Sequence, residues 1–188
     1  MLGQMTMFAP DVTLPLRKRV SVERVELADV RMMLERFHYL HRVRTGRQLN
    51  YAVLIDGVVD GVITYACPMV IGKIAGVPTD EVIEFARMYL HQNIPHSATC
   101  AIGQTLHRIG KDWLSIAPHM KPPRLVVSWS DATVHKGTVY KEANFEHYHR
   151  STPTQKGKGG WARAVERADF VHPKDCWLYW LDKKGQTR

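Results

Sequence analysis

The residues of this sequence whose types and spacing bear on chemistry are two histidine pairs, an aspartate closing an apolar run, and a lysine- and glycine-rich stretch. His38-x-x-His41 puts two imidazoles on one helical face and His147-x-His149 puts two on one side of a strand, so either pair has the spacing of metal ligands. With 10 histidines in the chain chance pairs are expected, and a metal site needs a third ligand that neither pair brings. The chain has neither HxE nor PCxxC, which excludes a zinc deaminase centre. Asp131 follows the apolar run Arg124–Ser130 (RLVVSWS), and in open α/β sheets ligands gather beyond the carboxyl ends of strands. Its other reading is a loop or capping carboxylate. Gln155–Gly160 (QKGKGG) reads as a surface loop, or, through Lys156, Lys158 and Arg163, as a segment that touches nucleic-acid phosphates without reading sequence.

The elements that must position these groups follow from periodicity. Val20, Val22 and Val25 mark a first strand, and Asp29 is a candidate N-cap for a helix to about Phe37, with Val30, Met33, Leu34 and Phe37 on one face. A basic loop, His41–Arg47, leads to strands Tyr51–Ile55 and Val58–Ala66 joined by the hairpin signal Asp56-Gly57. Their continuous apolar character calls for cover on both faces. Val82–Leu90 (VIEFARMYL) fits a strand between Pro78 and Pro95, with helix as the alternative. A helix with Ser97 as N-cap runs to about Trp113, followed by a strand to Asp131, a short helix Gly137–Ala143 and strands Phe145–Arg150 and Cys176–Leu181. Strands alternating with helices after an opening hairpin predict a mixed α/β sheet with helices on both faces.

Composition narrows the partners. The chain has 188 residues, enough for one ordinary domain, and is 45% hydrophobic, so its bulk is expected to fold. Its 26 Lys+Arg against 18 Asp+Glu leave a charge of +8, which suits a polyanion or an acidic cofactor. Cys67, Cys100 and Cys176 are odd in number and far apart, which excludes a disulfide framework and any CxxC site and fits a reducing compartment. Residues 1–16 lack the apolar stretch of a secretory signal and no run is long enough to span a membrane, so a cytoplasmic protein without a membrane partner is expected. No repeat is present, and the sequence carries no signal for a particular oligomeric state.

Gly137–Tyr148 (GTVYKEANFEHY) resembles the strand–helix–strand signature of the GNAT acyltransferase superfamily, in which a helix carrying a tyrosine runs into a Gly-Phe pair. Asn144-Phe145 takes that pair's place, and Asn is the natural non-glycine residue where a chain turns through the left-handed region after a helix. More narrowly, the sequence is similar over most of its length to the Mom family of DNA-modification proteins of Mu-like phages. Four blocks carry the similarity: Phe37-His38-Tyr39-Leu40-His41 before the basic loop, Glu84-Phe85-Ala86-Arg87, Ser97, and Ser128-Trp129-Ser130-Asp131 followed by His135-x-Gly137 and Tyr140.

That resemblance implies one GNAT-like domain over 1–188, within which an N-terminal arm at 1–18 and, from its composition, a mobile basic loop at 151–164 are expected. It implies transfer of a small group to N6 of adenine in double-stranded DNA, giving a carbamoylmethyl adenine that blocks restriction, in the cytoplasm of a bacterial host. Acetyl-coenzyme A or a related small-molecule donor is implied by the fold, and iron through His38 by the family. Asp131 is then the base, or the acceptor that aligns the amino group, because the delocalised lone pair of N6 is a poor nucleophile. Tyr140 is the acid on the leaving group, and Arg87 holds a phosphate or carboxylate. His38 joins them as a catalytic residue, while Ser97, Ser128 and Glu84 fall on the donor side.

A duplex substrate must present its base unstacked, so Tyr39, Trp129 and Trp161 are candidates to stack on it, and Arg42, Arg44, Arg47, Lys156 and Lys158 are candidate DNA contacts. Glu84 and Arg87 are three apart and reach one side only if a bulge lies between them. Gln92–His96 lacks the glycine-rich phosphate loop of ordinary acetyltransferases, which weighs against the alternative of a GNAT N-acetyltransferase acting on a small amine or protein. A non-catalytic basic DNA-binding protein is the third reading.

Overall fold

A computed structural model describes residues 14–92, 94–151 and 172–182. Lys156, Lys158, Trp161 and Arg163, and nearly all of the basic loop expected at 151–164, lie outside them. The elements are α1 (Leu16–Arg19), β1 (Val20–Val25), α2 (Leu27–Arg36), β2 (Gln48–Ile55), β3 (Val58–Ala66), β4 (Lys73–Ile74), β5 (Val77–Pro78), β6 (Val82–Leu90), α3 (Ser97–Ile116), β7 (Leu125–Asp131), α4 (Thr138–Glu142), β8 (Glu146–Arg150) and β9 (Lys174–Trp180). Seven strands form one mixed sheet in the order β1-β2-β3-β6-β7-β9-β8, antiparallel except for β6 against β7, while β4 and β5 make a small separate hairpin.

Both faces are covered, as the unbroken apolar strands require. Leu49, Tyr51, Val53 and Ile55 of β2 pack under α3, whose buried Ala101, Ile102, Leu106, Ile109 and Trp113 recur at helical spacing. The hydroxyls of Tyr51 and Tyr65 end on α3, at Asp112 (2.8 Å) and Thr105 (2.6 Å). On the opposite face Val30 and Leu34 of α2 close over Val62, and Ile74 and Val77 of the small hairpin close over Leu125, Val127 and Leu178. Asp56 and Gly57 both have positive φ, the conformation a two-residue hairpin of this twist demands.

Two helix starts differ from expectation. Asp29 is not the N-cap of α2 but the third residue inside it, and its carboxylate accepts the Glu26 amide (3.0 Å) to close a capping box. Ser97 is the first residue of α3, behind a left-handed His96. Among the described residues no helix is long and apolar enough to cross a membrane.

Candidate active site in a notch between two strands

The site begins where two parallel strands part. β6 and β7 pair only over Val82–Phe85 and Leu125–Ser128; beyond, β6 stays with β3 to Leu90 and β7 stays with β9 to Asp131. The gap leaves backbone and side chains free to line a notch through the sheet. At its floor Ser128 Oγ lies 2.9 Å from the Phe85 carbonyl oxygen and 3.1 Å from Tyr140 Oη.

Tyr140 is held from the α3 side. Its ring stacks on Trp177 (centroids 5.2 Å, 6°) and meets the edges of Phe85 and Phe145. Trp177 is itself fixed by an indole N–H donated to Ser130 Oγ (2.9 Å). Gly137 lets this stack form: its φ is +73°, and a Cβ there would stand 2.1 Å from the Trp177 ring. Asn144 takes the left-handed turn after α4 at φ 61°, as its place in the sequence predicts. Burial, only partly offset by the Ser128 hydroxyl, pushes the Tyr140 phenol up to about 12, so at neutral pH it keeps its proton.

The other side of the notch is charged. In the β3–β6 register Thr64 faces Arg87 and Tyr65 faces Phe85, so Ala86 is an extra residue in β6. This bulge brings Glu84 and Arg87 to the face of α2. The Glu84 carboxylate pairs with Arg44 (2.5 Å) and accepts the Met69 amide, and burial still raises its pKa above the ordinary value. Arg87 is drawn down to about 10, by burial first and then by Arg44; its Nη1 donates to the Ala86 carbonyl (2.6 Å) and its buried Nε has no partner among the described residues.

Asp131, opposite Lys174 in the β7–β9 register, lies on this same face. Burial works against its charge, but the Thr133 hydroxyl (2.5 Å) and amide (2.9 Å) both donate to Oδ1 and, with His172 and Lys174, leave it below the ordinary carboxylate value. It is therefore ionised at neutral pH and better suited to accept a hydrogen bond than to act as a strong base. Lys174, which no local pattern in the sequence marks, is lowered by burial and by Arg87 and Arg42 against the pull of Asp131.

His38 is buried beside them, its ring stacked on Tyr39 (4.7 Å), which meets His135 edge-on (5.6 Å). Burial, then Arg87, His135 and His41, holds His38 at about 4, so it is neutral. Its Nδ1 accepts the Leu40 amide (3.1 Å), which places the ring proton on Nε2. Ligation through Nε2 would need the proton on Nδ1, facing another donor. Among the described residues no three His, Cys, Asp or Glu side chains gather to hold a metal. The expected iron at His38 thus finds no fitting ligand set. The second histidine pair also separates: a bulge at Tyr148 puts His147 on Asp175 and Trp177, and His149 on Trp129 at the opposite face.

The remaining candidates divide. Arg42 acts electrostatically on Tyr39, Arg87 and Lys174, whereas Arg47 turns to His119 (3.1 Å). Ser97 is buried with its hydroxyl donated to the Ile94 carbonyl (2.8 Å). Trp129 packs against the small β4–β5 hairpin cluster, while Tyr39 stays half exposed at the site.

The neutral His38 makes a pH prediction. An unfolded chain binds the imidazole proton below about 6.5, but the folded one refuses it until about 4. The contribution to stability is complete above 6.5 and is lost as pH falls towards 4, by about 3 kcal/mol in all. Denaturant unfolding at pH 7.5 and 4.5 should show a steeper loss in the wild type than in His38→Gln; equal losses would rule out a buried neutral His38.

The sequence profile of the Mom protein family matches residues 19–176. No curated protein sequence matches the chain. Among solved structures it is similar to a GNAT-family acetyltransferase from Bacillus anthracis (TM-score 0.56, 10% identity, covering 87% of this chain and 95% of that one). It is also similar to a Salmonella typhimurium acetyltransferase that modifies the N-terminal serine of ribosomal protein L7/L12 (0.55, 10%, 89% and 98%). A third is Salmonella typhimurium yncA, solved with its cofactor acetyl-CoA (0.54, 11%, 90% and 98%). The fold is that of the GNAT acetyltransferases.

One part of that fold's cofactor cradle is altered in this chain. A coenzyme A pyrophosphate needs free backbone amides at a helix N-terminus. Before α3 the chain supplies no glycine between Leu90 and Ser97, and the Glu142 carboxylate from α4 accepts the Thr99 hydroxyl (3.0 Å) and lies 3.4 Å from His96 Nδ1. An anion at this end would meet that carboxylate, and also Arg17 and Lys18, which line the same cavity with Thr99 and Cys100. What this chain lacks before α3 is the glycine of a phosphate-binding loop.

Proposed function

The chain belongs to the Mom protein family, and on that premise we propose that it is a phage-type DNA-modification enzyme. It transfers a small group to N6 of adenine in double-stranded DNA, forming a carbamoylmethyl adenine that shields the DNA from restriction. The observation that carries this reading is that β7 brings Ser128, bonded to the buried and protonated Tyr140, and the ionised Asp131 to the end where it parts from β6, with Tyr39 close enough to act on Tyr140 and to feel Asp131.

The extruded adenine stacks on Tyr39 and directs its amino group at Asp131, which accepts an N6–H hydrogen bond and aligns the nitrogen lone pair on the donor carbon. As the new N–C bond forms, the bond from that carbon to its leaving group breaks. Tyr140 gives its proton to the departing atom, and N6, made cationic and acidic by the new bond, gives one up to Asp131, for which a weak base suffices, so charge is balanced across the site. Arg87, whose Nε has no partner among the described residues, and Lys174 hold the anionic part of donor or DNA. The lack of glycine before α3 favours this reading over an ordinary coenzyme A-dependent acetyltransferase.

Nucleoside mass analysis of total DNA from bacteria expressing the chain tests it without knowledge of the donor. A heavier deoxyadenosine is expected with the wild type and not with Tyr140→Phe, its mass increment identifying the group. Unchanged nucleosides from a soluble, folded protein would overturn the reading and favour a small-amine acetyltransferase or a DNA binder.

A further inference from the structure

Between β3 and β4 the chain exposes three consecutive apolar side chains, Met69 (64% exposed), Val70 (45%) and Ile71 (95%). An apolar tip facing water forgoes burial, and contiguous exposed apolar surface marks a place where something binds. The loop's two feet are fixed. On one side the Met69 amide is donated to the Glu84 carboxylate and Arg44 donates to the Cys67 carbonyl (3.4 Å). On the other, the Gly72 carbonyl accepts the Thr79 amide (3.0 Å), and Ile74 and Val77 anchor the hairpin in the core. A firmly mounted apolar point thus rises from the residues that hold Glu84.

We propose that Met69–Val70–Ile71 is a wedge that enters the base stack of duplex DNA at the step from which the target adenine leaves. The proposal rests on the DNA reading above. Its partner is argued from charge and shape: Arg44 bonds the foot of the loop at Cys67, Arg42 and Arg44 lie close enough to act on Arg87, Arg42 and Arg87 on Lys174, and Lys73 is exposed at the far end. An apolar point in a cationic collar is complementary to a duplex, whose anionic backbones flank an apolar stack that side chains such as Ile and Met can part. Extruding a base also leaves a gap that costs stacking until something fills it.

Insertion of a side chain untwists DNA, which needs neither the donor nor a known target sequence to detect. Closed circular plasmid is relaxed by a type I topoisomerase with the full chain bound, and the linking number is read after the protein is removed. The wild type should lower it in proportion to the protein bound. Ile71→Ser and the triple variant Met69→Ser/Val70→Ser/Ile71→Ser, all at exposed positions, should bind with the same salt dependence, leave the linking number unchanged, and yield at least tenfold less modified deoxyadenosine in cells.

A variant that shifts the linking number and modifies DNA like the wild type overturns the wedge while leaving the DNA reading intact. A wild type that neither binds plasmid nor alters its nucleosides removes the DNA reading itself. If instead the wild type binds phosphatidylserine vesicles, Ile71→Ser abolishes that binding and plasmid topology never moves, the tip is a membrane contact and the proposal fails.

Discussion

Tyr140→Phe should lower turnover about a hundredfold or more, with DNA affinity nearly unchanged. The substitution removes one oxygen and keeps the ring, so the stack on Trp177 and the edges against Phe85 and Phe145 survive. What is lost is a proton held up to about 12 by burial and placed 3.1 Å from Ser128 at the floor of the notch. Asp131→Asn should act as strongly from the other side. The amide oxygen still accepts from Thr133, so the turn is preserved and only the negative charge that orients N6 disappears. Rates of modified-adenine formation and DNA binding, measured together on the same preparations, separate chemistry from recognition. Full activity in both variants would remove these residues from the mechanism.

The second large effect lies away from the reacting atoms. Gly137→Ala requires a Cβ 2.1 Å from Trp177 Cζ2 at a backbone φ of +73°. The obstacle is not the loose end of a flexible chain. It is an indole fixed by Ser130 and stacked on Tyr140, so relief must shift the ring that carries the proton. Overpacking together with the left-handed backbone should cost about 2–4 kcal/mol. Thermal unfolding should show a clear drop in midpoint, and modification should fall more than the loss of folded protein explains. An unchanged midpoint would mean that the α4 turn yields more readily than the packing implies.

Much of this arrangement was legible because it is local. The Asp56-Gly57 hairpin, the amphipathic face of α3, the left-handed Asn144 and the end of β7 at Asp131 each follow from a few neighbouring residues, and all appear where periodicity and turn chemistry place them. What escaped depends on the irregularities of strands or on distant partners. Val82–Leu90 reads as a strand with helix as the alternative, and the bulge that Glu84 and Arg87 need to share a face is a condition that only the β3–β6 register, with Ala86 as the extra residue, meets. His147 and His149 alternate like ligands until the bulge at Tyr148 sends them to opposite faces. Ser97 has the chemistry of a cap, yet its hydroxyl goes back to Ile94 and His96 takes the position. Lys174 joins the site only through its register with Asp131, 43 positions earlier in the chain.

The bulge at Ala86 also bears on which heritable changes this protein can accept. Upstream of it one parity of residue number faces α3, and downstream the other does, so Met88 and Leu90 pack in the core while Arg87 and Tyr89 look towards α2. Gain or loss of a single codon there would exchange the two sets, turning a guanidinium into the apolar interior and a methionine and a leucine into the charged notch. Substitutions along β6 alter one contact at a time, but a frame-preserving insertion or deletion rewrites the whole wall. The count of residues in this strand matters to the site as much as their identities.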